Sequence, residues 1–89
     1  MSTRTTIATL ETLVSWLNKL TKQPLTPYTT VDGKPVSNIG NYHLYEANGG
    51  IGLHRMANTG GGVNTIFELT TKRELEVQLR AYLRGVEAA

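Results

Sequence analysis

The sequence predicts an α+β domain with the order α-β-β-β-α, in which two helices pack on one face of a three-stranded antiparallel meander. Two apolar stripes with helical spacing lie near the two ends of the chain, over residues 6–22 and 71–84. Between them, three short runs are separated by Asn- and Gly-rich segments that are typical of hairpins. Because only one face of such a sheet is apolar, we expect both helices to cover that face.

The length, net charge and cysteine content of the chain limit the number of its domains and the classes of function open to it. Its 89 residues predict one domain over 1–89, and 9 Lys and Arg against 7 Asp and Glu give a net charge of +2. This excess is too small to indicate nucleic acid by itself. The absence of cysteine excludes disulfides, thiolate metal ligands and cysteine nucleophiles. With no membrane-spanning apolar run and no signal-peptide pattern, we expect a cytoplasmic protein without a membrane partner.

The first helix is predicted over residues 6–22. Its apolar residues recur at spacings of three and four: Ile7, Leu10, Leu13, Val14, Trp16, Leu17 and Leu20. Thr5 or Thr6 is suited to cap the N-terminus, and Pro24 ends the helix. We interpret Trp16 as an anchor of the core.

A connector rich in Pro, Thr, Gly and Asn follows over residues 24–41. Asp32-Gly33 lies between two short runs that favour strands, so a small hairpin is one alternative here. Pro35 has no backbone N–H, so any strand that contains it is an edge strand. We expect an ordered loop, and whether it forms the hairpin or covers the sheet stays open.

The middle of the chain predicts three strands, over residues 42–47, 51–57 and 63–69. A two-residue turn at Asn48-Gly49 and a five-residue loop over 58–62 set the register of the meander. The expected cross-strand pairs are Leu44–Leu53, His43–His54, Tyr45–Gly52, Leu53–Phe67, Ile51–Leu69 and His54–Ile66. This register collects five apolar side chains on one face, namely Leu44, Ile51, Leu53, Phe67 and Leu69.

The second helix is predicted over residues 71–84. Thr71 and Glu74 match a capping box at its N-terminus. Its apolar stripe consists of Leu75, Leu79, Tyr82, Leu83 and Val86. Gly85 is suited to the left-handed position that follows the last turn of a helix.

The sheet face without helices provides the leading hypothesis for function. In the predicted register it carries His43, Tyr45, His54, Met56, Asn64, Ile66 and Glu68, with one formal charge at neutral pH. Mixed aromatic and apolar faces of this kind bind partners or second copies, while a solvated or loop-covered face is the open alternative. We predict a non-enzymatic interaction module that binds a protein partner or itself through His43, Tyr45, His54, Met56 and Ile66.

Nucleic-acid binding is the alternative hypothesis. The order α-β-β-β-α is that of the double-stranded-RNA-binding fold, which places basic residues at the start of its last helix. Lys72 and Arg73 occupy this place, and Arg80 and Arg84 extend the basic edge along the same helix. So few cations predict weak binding that depends strongly on salt.

Catalytic and metal-binding chemistry have little support in the sequence. No acid, base and nucleophile converge, so we expect no enzyme. His43 opposite His54 offers two metal ligands, whereas a stable site needs three or four, so we expect no metal and no cofactor. The glycine clusters lie between strands, where hairpin turns account for them better than phosphate loops.

Part of the chain carries a recognisable pattern within residues 40–75. Its pieces are Gly40-Asn41-Tyr42-His43-Leu44, Ala47-Asn48-Gly49-Gly50, Leu53-His54-Arg55-Met56, Asn58, Gly61-Gly62-Val63 and Lys72-Arg73-Glu74-Leu75. They resemble a pattern in small, functionally uncharacterised proteins of bacteria and their phages or prophages. The resemblance covers somewhat under half of the chain. It implies a bacterial or phage-infected cytoplasm and a shared Gly-rich hairpin, and it implies no activity.

Overall fold

A computed structural model describes residues 4–88, which form two helices and five strands. The elements are α1 (Ile7–Leu20), β1 (Tyr28–Val31), β2 (Lys34–Ser37), β3 (Tyr42–Ala47), β4 (Gly50–Met56), β5 (Val63–Thr70) and α2 (Lys72–Ala88). β1 and β2 form a two-stranded sheet, and β3, β4 and β5 form a three-stranded antiparallel sheet in chain order. The predicted α+β class is confirmed, and the β1–β2 hairpin adds two strands. Residues 1–3 and 89 of the predicted domain lie outside the described residues.

The core lies between the two helices and one face of the three-stranded sheet. Its buried side chains come from α1, from α2 and from the sheet: Leu10, Leu13, Val14, Leu17, Leu75, Leu79, Leu83, Tyr42, Ile51 and Leu53. Leu53 is fully buried on β4, the middle strand. Burial of this apolar area is the main favourable term in folding, and it leaves the other face of the sheet without a helix.

Helix α1 begins where expected, but two side chains of its predicted apolar stripe, Trp16 and Leu20, are exposed. Thr6 caps the helix by accepting a hydrogen bond from the backbone N–H of Thr9 at 3.2 Å. Trp16, predicted as a core anchor, is 46% exposed. Each helical residue turns the chain by about 100°, so Trp16 lies well to the side of Leu17 and of the other buried leucines. The prediction for Trp16 was wrong because the buried face of α1 is narrower than the stripe of apolar residues along the helix.

A buried asparagine fastens α1 to the edge of the sheet. Asn18 donates from Nδ2 to the carbonyl oxygen of Tyr42 at 2.9 Å, and its Oδ1 accepts from the Tyr42 N–H at 2.8 Å. Tyr42 begins β3, an edge strand whose outward backbone groups need partners when they are buried. Asn18 therefore satisfies both groups with one side chain, a role that the sequence analysis did not identify.

The connector contains the hairpin that the sequence left open. Asp32 and Gly33 both have positive φ, of 51° and 76°, as a two-residue hairpin turn of this type requires. Pro35 lies opposite Thr30 in this two-stranded sheet, where both strands are edges and its missing N–H is tolerated. Every strand residue except Ser37 is exposed.

The predicted register of the meander is confirmed between β3 and β4 and is partly wrong between β4 and β5. β3 and β4 pair as predicted, with Leu44 opposite Leu53 and His43 opposite His54. Between β4 and β5 the predicted Leu53–Phe67 pair is also confirmed. The expected pairs Ile51–Leu69 and His54–Ile66 are replaced by Ile51–Thr70 and His54–Thr65, with a register shift on each side of Phe67. Each shift places an additional β5 residue opposite β4, which is the geometry of a β-bulge.

The loop before β5 explains part of this shift. Asn58 Oδ1 accepts from the backbone N–H groups of Gly60 and Gly62 at 2.9 and 3.0 Å. The backbone N–H of Ala57 also donates to Gly62 O. Together these bonds close the loop at Gly62, one residue earlier than expected, so Val63 pairs with Met56. A later bulge moves Leu69 beside Gly50 and outside the core cluster, where it had been predicted.

Helix α2 begins as predicted and continues beyond its predicted end. Thr71 accepts a hydrogen bond from the backbone N–H of Glu74 at 3.2 Å, which is one half of the capping box. Gly85 lies within the helix, which extends to Ala88, so its predicted role as a terminator was wrong. Neither helix of residues 4–88 is long and apolar enough to cross a membrane.

Candidate functional site

The face of the three-stranded sheet opposite the helices is the candidate site, and we call it the open face. Successive residues of a strand point to opposite faces of a sheet. With Leu44 and Leu53 directed towards the core, the neighbouring His43, Tyr45 and His54 point to the open face. All three side chains are partly buried, and none belongs to the core cluster between the helices and the sheet.

The three rings form a continuous aromatic row, which consists of His43, His54 and Tyr45. The ring of Tyr45 stacks on that of His54, with 3.5 Å between centroids and 14° between planes. His43 meets His54 edge to face, with centroids 5.7 Å apart and planes at 86°. The predicted juxtaposition of the two histidines is therefore confirmed, and the aromatic row presents a fixed surface of rings.

Gly52 provides the space for this stack. A Cβ atom at this position would lie 2.6 Å from Tyr45 Cε1 and 2.6 Å from the backbone oxygen of Phe67. Both contacts are too short for carbon against either atom, so a side chain at Gly52 would displace the Tyr45 ring or the neighbouring strand. The absence of a side chain on β4 thus places Tyr45 flat over the sheet.

Asn41 orients the first imidazole of the aromatic row. It is fully buried and donates from Nδ2 to the Pro24 carbonyl at 2.7 Å, which leaves its Oδ1 as an acceptor. His43 Nδ1 lies 3.2 Å from this oxygen and therefore carries the proton, so its Nε2 is the acceptor when the ring is neutral. Burial lowers the pKa of His43 below its usual 6.5, and repulsion from His54 lowers it further.

The second imidazole is also held neutral. Burial lowers the pKa of His54 below 6.5, and the nearby Glu68 carboxylate opposes part of this shift. Both imidazoles are therefore uncharged at neutral pH. The centre of the open face is consequently aromatic and uncharged, with Glu68 as a neighbouring charge.

Two of the five predicted partner-binding residues do not belong to the exposed open face. Met56 is 2% exposed, and its backbone pairs with the connector through Gly40 N–H to Met56 O and Met56 N–H to Asn41 O, both at 2.8 Å. Ile66 packs against the core because the bulge beside Phe67 turns it away, and Thr65 takes its place opposite His54. The predicted exposure of Met56 and Ile66 on this face is wrong, because Met56 is buried and the bulge redirects Ile66 towards the core.

The four basic residues of the alternative hypothesis do not form one continuous surface. Lys72 and Arg73 line a cleft at the start of α2. Arg80 and Arg84 line a groove farther along α2 that also includes the exposed Trp16. Arg80 is engaged there, because its Nε donates to Glu76 Oε2 at 2.8 Å. The cations thus divide into two pairs with different surroundings.

Apolar exposure on the β1–β2 hairpin is a feature that the sequence analysis missed. Tyr28, Val31 and Val36 are exposed on the hairpin, and Leu25 and Ile39 are exposed beside it. The aromatic and β-branched residues of Tyr28–Val31 were the signal, but a run of four residues next to a proline was too short to separate a strand from a loop.

Among residues 4–88, no group of three or more His, Asp or Glu side chains is placed to hold a metal ion. His43 and His54 thus stay a pair of potential ligands.

No protein-family model, curated protein or solved structure matches this chain. The function must therefore be inferred from the geometry of its own surfaces.

Proposed function

We propose that this chain is a non-enzymatic interaction module whose open face binds a protein surface, either on another protein or on a second copy of the chain. The aromatic row of His43, His54 and Tyr45 is the centre of the contact. The observation that carries this proposal is that both helices cover one face of the sheet, which leaves a stacked aromatic row on the other face.

The aromatic row has the properties of a preorganised binding surface. Stacking on His54, in the space that Gly52 leaves, limits the conformations of Tyr45, so little side-chain entropy remains to be lost on binding. Tyrosine is enriched among the residues that contribute most to binding energy in interfaces. Because both imidazoles are neutral, desolvation on binding does not remove a charge from water.

A double variant with a matched control tests this proposal. We expect Tyr45→Ala together with His54→Ala to weaken binding at least tenfold, since interface anchors contribute about 1–4 kcal/mol each. Val77→Ala, which shortens an exposed apolar side chain on α2, is expected to leave binding unchanged. Sedimentation equilibrium measures self-association, and calorimetry measures affinity for any partner identified by cross-linking from the open face.

Circular dichroism of both variants distinguishes lost contact from lost fold. If the double variant keeps its far-UV spectrum and binds as tightly as the unchanged protein, the open face is not the interface. A loss of binding in Val77→Ala that equals the loss in the double variant would place the contact on the helices instead.

The setting of this module is also part of the proposal. The resemblance within residues 40–75 supports a bacterial, phage or prophage origin and action in the cytoplasm. The alternative function, weak nucleic-acid binding through Lys72, Arg73, Arg80 and Arg84, has less support because these residues divide between two surroundings. The titration of duplex RNA and DNA at low and physiological salt tests that alternative, which requires an affinity that falls as salt rises.

A further inference from the structure

A cleft of about 750 Å³ opens where three distant segments of the chain meet. Arg4 and Thr5, ahead of α1, line one side of it. The β3–β4 turn and its flanks, residues 46–47 and 49–51, line the second side, and the β5–α2 junction, residues 70–73, lines the third. The cleft shares no residue with the aromatic row, so its function is independent of the interaction proposed for the open face.

The charges around this cleft are mainly positive. Arg4, Lys72 and Arg73 line it together with one carboxylate, that of Glu46, which leaves a formal charge of +2. Residues 4–88 contain a single ion pair, which joins Arg80 to Glu76. None of the three cleft cations therefore forms an ion pair with a carboxylate. Like charges around a common concavity repel one another, and an anion between them removes that repulsion.

Glu76 is not part of the cleft lining, and both of its carboxylate oxygens are already engaged, although its charge also acts on Arg73. Its Oε1 accepts from Thr5 Oγ1 at 2.5 Å, and its Oε2 accepts from Arg80 Nε at 2.8 Å. These two hydrogen bonds, with that from Thr5 the larger influence, lower the pKa of Glu76. The Thr5 bond also ties the segment that carries Arg4 to α2, so Arg4 is kept beside Lys72 and Arg73.

The β3–β4 turn leaves room for a ligand at the rim of the cleft. Gly49, with φ of 79°, has no heavy atom within 4 Å of the position that a Cβ atom would take. Together with Gly50, it contributes backbone without side chains to the lining. A ligand can therefore approach the main chain here, which is a common use of glycine at binding sites.

We propose that this cleft binds a phosphate group, held by Arg4, Lys72 and Arg73. A phosphate monoester carries a charge of about −1.5 to −2 at neutral pH, which complements the +2 of the lining. Guanidinium groups donate two parallel hydrogen bonds to phosphate oxygens, and the lysine ammonium adds a compact charge. The phosphate belongs either to a small molecule or to a nucleic-acid backbone.

Titration of the full chain with inorganic phosphate and pyrophosphate, followed by amide NMR shifts, tests this site. We expect saturable shifts at residues 49–50 and 70–73. Arg73→Gln is expected to weaken binding about tenfold, because it removes the charge-assisted hydrogen bonds of the guanidinium to the phosphate oxygens. The matched control is Arg84→Gln, which removes the same charge about 16 Å farther along α2 and is expected to change affinity less than twofold.

A second arm identifies the source of the phosphate. If a short RNA or DNA duplex competes with pyrophosphate, the cleft binds a nucleic-acid backbone, and if only adenosine monophosphate competes, it binds a small phosphate ester. Both results support the site. Shifts that rise linearly without saturation, or equal losses in Arg73→Gln and Arg84→Gln, would overturn it, because they indicate diffuse attraction to the charges of α2.

Discussion

Two hairpins of this protein have the same kind of turn but differ in the burial of their strands. Asp32-Gly33 joins β1 to β2, and Asn48-Gly49 joins β3 to β4, with positive φ at all four residues. In the β3–β4 hairpin, Ile51 and Leu53 are buried beneath the helices. In the β1–β2 hairpin, Val31 is 51% exposed, although it also belongs to a regular antiparallel pair.

The difference between the hairpins shows that the turn residues reverse the chain but do not determine whether the strands are buried. Two residues that tolerate positive φ are sufficient to reverse the chain in either place. Burial needs a covering layer, which the helices supply to β4, whereas every residue of β1 and β2 except Ser37 is exposed. The β1–β2 hairpin is instead held at its base by Asn38, whose Nδ2 donates to Thr26 O and to Thr29 Oγ1, each at 2.9 Å.

The largest contrast is expected from truncation of an apolar side chain in each hairpin. Leu53→Ala removes a fully buried side chain from the middle strand and should lower the free energy of unfolding by about 3–5 kcal/mol. Val36→Ala, on the exposed hairpin, should lower it by less than about 0.5 kcal/mol. Urea denaturation followed by circular dichroism measures both. Equal losses would show that the β1–β2 hairpin is part of the same cooperative core.

A smaller contrast is expected from adding a methyl group to one glycine of each hairpin. Gly52→Ala should cost about 1–3 kcal/mol, because its Cβ meets Tyr45 and the Phe67 carbonyl oxygen. Gly33→Ala meets no atom within 4 Å, so its cost is the strain of positive φ, about 1 kcal/mol.

Tyr45 provides a second readout for this comparison. Gly52→Ala should shift the ring resonances of Tyr45 and His54, whereas Gly33→Ala should leave them in place. Unchanged Tyr45 resonances in Gly52→Ala would contradict the close approach of the ring to β4.

The smallest expected effect is a dependence of stability on pH that belongs to the β3–β4 hairpin. Burial holds the pKa values of His43 and His54 below 6.5, so below that pH the unfolded chain binds more protons than the folded one. This contribution is fully present above pH 6.5 and is lost as the pH falls through the lowered values. Urea midpoints at about pH 7.5 and 5.5 should differ more for the unchanged protein than for His43→Gln with His54→Gln. An equal difference in both proteins would assign the pH dependence to other groups.

Part of the candidate site was predictable because its determinants are local. The Asn48-Gly49 turn sets the β3–β4 register, and this register places His43 opposite His54 and Tyr45 over Gly52. The phosphate cleft depends on segments far apart in the chain. Arg4 lines the same cleft as Lys72, and the neighbouring Thr5 binds Glu76 across 71 positions of the chain, a contact that no local pattern reports.

The sequence by itself determined the α+β class, the two amphipathic helices and the β3–β4 register, because each follows from apolar spacing or turn chemistry within a few residues. Only the tertiary structure decided that Trp16 is exposed, that Met56 is buried and that Ile66 turns towards the core. The three positions depend on the width of the buried face of α1, on the path of the connector and on the place of the bulge in β5. All three are set by the fit between packed layers, which local spacing does not encode.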